Sequence, residues 1–232
     1  MDLIPSFALG DFRFRLTLTF LENALFWVRA AQSVLFFRTL RYLAGTKGYV
    51  LRIKPTHMLS DWTSSMDIVC YVDSDWAGCS KTRKSTSGST AQVLGCDVIH
   101  TSRTQATVAL SSGEAELYAI GQGTSEALFL KSLILEAEFA KRVNMIVYTD
   151  STAGRSMAIR FGAGKKTKHV ELRPYMQDLV RSGVLIVRKV HTSANPADVL
   201  TKYSPTEVLK NLTPKLGIVD TLHSADLFHL DQ

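Results

Sequence analysis

Four acidic residues stand where they could do chemistry together: Asp73, Glu116, Asp150 and Asp198. Asp73 closes the apolar run IVCYVD, and Asp150 closes NMIVYTD. Glu116 lies at the start of the helical pattern EAELYAI. Carboxylates crowded onto one point repel each other, so a fold that gathers four of them needs a cation to hold. A hard cation such as Mg²⁺ takes oxygen ligands, usually a few carboxylates plus a substrate phosphate. Two such ions about 3.5–4 Å apart can clamp a phosphodiester, one activating water and the other stabilising the leaving oxygen. Asp73 is the candidate shared ligand, with Glu116 and Asp150 completing one ion and Asp198 the other. Spacing alone leaves two substitutes open. Asp75 points to the same face as Asp73 on a continued strand. Glu114 lies two residues from Glu116, about 200° around a helix, so only one of that pair faces the site.

The elements that must position these acids can be read from the pattern of the chain. DIVCYVDSD (67–75) has the β-branched content of a strand, and SGSTAQVLG (87–95) and DVIHTSRT (97–104) follow as two more around a turn at 95–97. From Ser111 the period becomes helical, with apolar residues at 117, 120, 128, 130, 133, 134 and 137. Phe129 and Leu130 are expected in the core. Ser111 or Ser112 is the expected N-cap, and Gly121 and Gly123 are expected to soften the helix. A strand at 143–150, a short helix at 151–161, a helix at 170–183 and a strand at 184–190 come next. NPADVLTKYS (195–204) reads as the start of another helix, with Asn195 as cap and Pro196 at its first position. The order β-β-β-α-β-α-α-β-α gives a mixed α/β sheet flanked by helices: an antiparallel three-strand meander plus parallel strands, five in all. A right-handed crossover lays the fourth strand parallel to the first, which puts Asp73 and Asp150 at equivalent ends of neighbouring strands.

The remaining composition narrows the function class. The 232 residues are 46% hydrophobic and 21% charged, an ordinary globular balance. Net charge is +6, and nine Lys/Arg fall in residues 151–189 against Glu171 and Asp178, a basic stretch that begins just after Asp150 and suits a polyanion. Three cysteines without a CxxC pair argue against zinc and for reduced thiols inside a cell, cytoplasmic or nuclear. The N-terminus lacks the basic start of a signal peptide, and the apolar segment from Leu16 to Phe37 is broken by Glu22 and Arg29, so no membrane span is expected. Four regions are expected: an unassigned extension (1–30), a helix and linker (31–66), the mixed-sheet domain (67–204), and a C-terminal helix with a tail (205–232).

The blocks YVDSDWAG, RKSTSG, VALSSGEAELYA, VYTDSTA, TKH and ADVLTK occur in this order. Together they resemble the ribonuclease H domain of copia-type LTR retrotransposon Pol polyproteins, over residues 67–203. RYLAGTKGY (41–49) resembles the segment that links reverse transcriptase to that domain. The resemblance implies a ribonuclease H-like fold and endonucleolytic cleavage of the RNA strand of an RNA–DNA hybrid, with two Mg²⁺ or Mn²⁺ ions. It implies that the catalytic and metal-binding acids fall on Asp73, Glu116, Asp150 and Asp198. It also implies a basic, polar surface against the hybrid, for which the candidates are Arg83, Lys84, Ser85, Ser151, Lys165, Lys166, Lys168 and His169. His191, seven residues before Asp198, is a candidate proton shuttle. The reverse transcriptase domain of a parent polyprotein is a candidate partner.

Competing readings are weaker. YVDSD is one residue too long between its aspartates for the YxDD motif of polymerases. GAGKKT lacks the glycine a phosphate loop needs, since Ile159 stands there. Trp76 is expected to pack beside the hairpin. A resolvase-like nuclease on the same fold, and a silent relic that binds hybrids without cutting, remain as alternatives.

Overall fold

In a computed structural model the described residues are 36–37, 39–53, 55, 65–161 and 172–221. Residues 1–35, including the extension at 1–30, and Lys165, Lys166, Lys168 and His169 lie outside them. Two units are present, 1–52 with 217–232 and 53–216.

The smaller unit holds helix α1 (39–45), a turn, and strand β1 (Tyr49–Leu51). β1 pairs antiparallel with β7 (Ile218–Asp220), the last strand among the described residues, Tyr49 opposite Asp220. The C-terminal region was expected to hold only a helix and a tail. Three residues are too few to show a strand pattern, and their partner lies at the other end of the sequence.

The larger unit is built on a five-stranded sheet ordered β4-β3-β2-β5-β6. Its strands are β2 (Ser65–Asp75), β3 (Thr86–Val93), β4 (Cys96–Thr104), β5 (Arg142–Thr149) and β6 (Leu185–Lys189). β2–β3 and β3–β4 are antiparallel, and β2–β5 and β5–β6 are parallel. That order and these directions are the ribonuclease H-like arrangement expected from the sequence. Val72 pairs with Thr149, so Asp73 and Asp150 follow side by side at the C-terminal ends of the two central strands.

Helix α2 (Ser112–Glu136) starts at the Ser111 cap, whose hydroxyl accepts the Glu114 N–H. It covers one face of the sheet. Leu117 and Ile120 are buried with Ile68, Cys70 and Val72 of β2 and Met145 and Val147 of β5. The glycines of α2 are contact points as well as weak helix formers. A Cβ on Gly123 would lie 2.5 Å from Val72 Cγ1, so its absence lets the helix sit close on β2. Leu130 is buried as expected, but Phe129 is 63% exposed and Leu133 50% exposed. Adjacent helical residues are about 100° apart, so burying Leu130 turns Phe129 outward.

Helices α3 (Thr152–Ile159) and α4 (Leu172–Arg181) precede β6. The expected helix at 195–204 forms instead as one short 3-10 segment, Pro196–Leu200, with another, Thr192–Ala194, before it and α5 (Thr206–Leu212) after it. Tighter 3-10 turns fit a segment whose ends are tied down by side-chain bonds over so few residues. Among the described residues no helix is long and apolar enough to cross a membrane.

Candidate active site

Strand register brings the first two acids together, and α2 delivers the third. One carboxylate oxygen from each of Asp73, Glu116 and Asp150 lies within 4.8 Å of the others. Asp73 and Glu116 are buried and Asp150 half-buried. Burial pushes the Asp73 carboxyl upward, the Thr201 hydroxyl and the Lys202 charge pull it back, and Asp150 and Asp198 add to the rise. Glu116 is pushed up to about 8, first by burial and then by the Asp73 charge. Its Oε2 is buried without a hydrogen-bond partner. A buried acceptor left unsatisfied beside two more carboxylates costs free energy that a cation would recover. The donor set is all hard oxygen, which fits Mg²⁺ or Mn²⁺ and not a soft metal.

The two open alternatives separate by their contacts. Glu114 uses its carboxylate locally: it accepts the Leu110 N–H at 3.1 Å and the Tyr118 hydroxyl at 3.2 Å, while its own N–H goes to Ser111. That is close to the reciprocal capping arrangement of helix starts and leaves the next turn to present Glu116. Asp75 lies at the strand end under Gly78, where a Cβ would meet its Oδ2 at 1.9 Å.

Asp198 arrives on the second 3-10 segment, which is pinned to the sheet. Asn195 is fully buried, donates from Nδ2 to the Val72 carbonyl at 2.9 Å and accepts the Ala197 N–H at 3.2 Å. Gly88, opposite Asp73 in the sheet, permits the approach: a Cβ there would sit 2.8 Å from Thr201 Cγ2 and 2.9 Å from Leu200 Cβ. Thr201 Oγ1 donates to Asp73 Oδ2, and the Asp198 carbonyl lies within reach of the same hydroxyl. Asp198 Oδ1 pairs with Lys202 Nζ at 2.5 Å. Asn195 was expected only as a cap, and Thr201 and Lys202 carried no expected role. Their spacing of three and four residues from Asp198 was the available signal, since it places them on the same side of a helical turn.

The other described candidates make contacts of their own. Arg83 is exposed and Lys84 half-buried on the β2–β3 loop, which is closed by the Arg83 N–H to Cys79 carbonyl bond at 2.7 Å. Ser85 is not at the surface: it is fully buried, and its hydroxyl accepts the Ala77 N–H, so it shapes the loop that carries Arg83. Ser151 caps α3, accepting the Gly154 N–H at 3.0 Å. Its hydroxyl proton is left for another acceptor. His191 is exposed, and its Nδ1 accepts the Ser193 N–H at 3.3 Å, which leaves Nε2 directed elsewhere. Trp76 is 47% exposed, and its indole N–H donates to the Ala109 carbonyl at 3.1 Å, in the loop before α2.

No family model matches the chain. Curated relatives do. The chain is 32% identical over 167 residues to the retrovirus-related Pol polyprotein from transposon TNT 1-94 of Nicotiana tabacum, covering 72% of this chain and 12% of that protein. It is 29% identical over 183 residues to that from transposon RE2 of Arabidopsis thaliana, covering 78% of this chain and again 12% of the relative. The chain belongs to the retrovirus-related Pol polyproteins. It spans about an eighth of these relatives' length, and within that family it is the ribonuclease H-like segment. Among solved structures, LC11-RNase H1 isolated from compost aligns at 14% identity over 58% of this chain and 92% of its own, with a TM-score of 0.43. So low a superposition adds nothing to the fold assignment, which rests on strand order and direction.

Proposed function

We propose that this Pol segment is a metal-dependent endonuclease that hydrolyses the RNA strand of RNA–DNA hybrids. The observation that carries the reading is the convergence of Asp73, Glu116 and Asp150 at the ends of β2 and β5 around the unpartnered Glu116 Oε2. Asp73, Glu116 and Asp150 would hold one Mg²⁺ or Mn²⁺, and Asp73 with Asp198 a second. Bound there, the ions supply an activated water and charge stabilisation at the phosphate. The chain's own residues do the rest. The strand ends fix Asp73 and Asp150, and α2 fixes Glu116, so the ligands need little rearrangement when the substrate arrives. Asn195 and Thr201 hold the Asp198 segment against β2. His191, with Nδ1 engaged by Ser193, is the proposed carrier of a proton at Nε2. Arg83, Lys84 and Ser151 are the proposed contacts to the hybrid's backbone, together with Lys165, Lys166, Lys168 and His169. These contacts make binding salt-dependent. The remainder of the parent polyprotein, its polymerase region included, is the proposed partner in holding the substrate.

The test is a labelled RNA–DNA hybrid incubated with the protein, with and without Mg²⁺, beside Asp150→Asn. Metal-dependent RNA cutting that Asp150→Asn abolishes is the expected result. Undiminished cutting by that variant overturns the site. A hybrid that is bound but never cut supports the silent-relic alternative, and equal cutting of duplex DNA supports a resolvase-like nuclease.

A further inference from the structure

We propose that Lys202 is a tethered cation that holds the Asp198 side of the acidic cluster until a divalent ion displaces it, and thereby sets the order in which two ions enter. The inference rests on the metal-dependent reading above. The two halves of the cluster are unlike. On one side, Asp73, Glu116 and Asp150 stand within 4.8 Å of each other with a buried, unpartnered oxygen on Glu116. On the other, Asp198 Oδ1 already has an ammonium at 2.5 Å. That ammonium acts on Asp73 and Asp150 as well as on Asp198, so its charge is shared across the cluster.

The geometry gives Lys202 a way in and a way out. It lies four residues after Asp198, just past the end of the 3-10 segment at Leu200, and its stem reaches back to the carboxylate. Its side chain is 48% exposed while that of Asp198 is 10% exposed. The ammonium thus sits at the mouth of the cluster on a flexible stem, with water behind it. Thr201, the neighbouring residue, is buried and bound to Asp73, so the backbone at 201–202 is held while the lysine side chain is half-exposed. A first divalent ion at Asp73, Glu116 and Asp150 feels the Lys202 charge but has no ion pair to break, since the pair is made with Asp198. A second must take Asp198 from Lys202, and the displaced ammonium then faces solvent beside the site.

The experiment is calorimetric titration of MnCl₂ alone, without nucleic acid, into the wild-type chain, Lys202→Met, Lys202→Gln and Lys202→Arg. Thermal melts of each protein in a chelator run in parallel. Wild type is expected to take one ion tightly and a second weakly. Both neutral variants are expected to bind the second ion about tenfold tighter and to leave the first within about twofold, because one nearby unit charge is removed. They are also expected to melt lower than wild type in the chelator, whereas Lys202→Arg keeps the wild-type pattern. A second-ion affinity unchanged in Met and Gln, or a shift equal for both ions, overturns the proposal. If neither wild type nor variants take up Mn²⁺, the metal reading itself falls, and this proposal with it.

Discussion

Replacing Asn195 by alanine tests whether one buried side chain holds the fourth acid in place. Asn195 is fully buried and makes two bonds, to the Val72 carbonyl and from the Ala197 N–H. Alanine fills part of the space and makes neither. Both main-chain groups are then left buried without a partner, at about 1–3 kcal/mol each. The summed cost is about 2–6 kcal/mol, a large part of the 5–15 kcal/mol that ordinarily separates folded from unfolded domains. Val72 immediately precedes Asp73, and the Asp198 N–H bonds to the Asn195 carbonyl at 3.3 Å. The loss therefore falls between the two acids proposed to share the second ion. The assay is urea unfolding followed by circular dichroism, with hybrid cleavage measured at a temperature where the variant remains folded. A lower midpoint at constant slope, and a fall in kcat larger than any rise in KM, are expected. A stability loss under about 0.5 kcal/mol, the level of an ordinary surface substitution, would refute the reasoning.

Two further outcomes follow from the same geometry. Glu116 has its carboxyl raised from 4.5 to about 8 in the metal-free fold. An acid held above its unfolded value is protonated when folded and ionised when unfolded. The Glu116 contribution to metal-free stability should therefore be full below about pH 4.5 and be lost as pH rises through 8, by up to a few kcal/mol. Urea midpoints in a chelator across that range should show the slope, Glu116→Gln should reduce it, most of all between pH 6 and 8, and Mn²⁺ binding near neutral pH should release a proton. Gly88→Ala places a methyl against Thr201 and Leu200 and should cost about 1–3 kcal/mol, seen as a lower melting temperature. Cleavage should fall with it, and an unchanged melt would mean that the 3-10 segment is free to shift.

How legible the site was depended on how local each signal is. Strand ends are marked by apolar runs that stop at an acid, so Asp73 and Asp150 could be placed from IVCYVD and NMIVYTD. The three-strand meander and its turn at Gly95 were legible for the same reason. Choosing Glu116 over Glu114 by periodicity alone was impossible, because the difference lies in Glu114's bonds to Leu110 and Tyr118. The exposed Phe129 was misread because a helical stripe shows hydrophobicity but not which side faces the sheet. Asn195, Thr201 and Lys202 act on residues more than a hundred positions away or on a partner acid, and residue type says nothing of such partners. The 3-10 form of 196–200 was hidden too, since a helix start and a tight turn share the same Asn-Pro opening.

The bonds that pin the Asp198 segment to β2 span 123 and 128 residues of sequence. Loop closure over such lengths carries an entropic cost that is recovered only once the intervening sheet exists, so contacts of this separation form late. Asp198 is therefore expected to join the other three acids late, so that its repulsion with them arises only when a nearly complete scaffold is there to resist it. A domain that instead had to bring its carboxylates together early would meet that repulsion while still loosely packed. Delaying it to the final docking step also makes the last stage of folding the one that a divalent cation in the medium should accelerate.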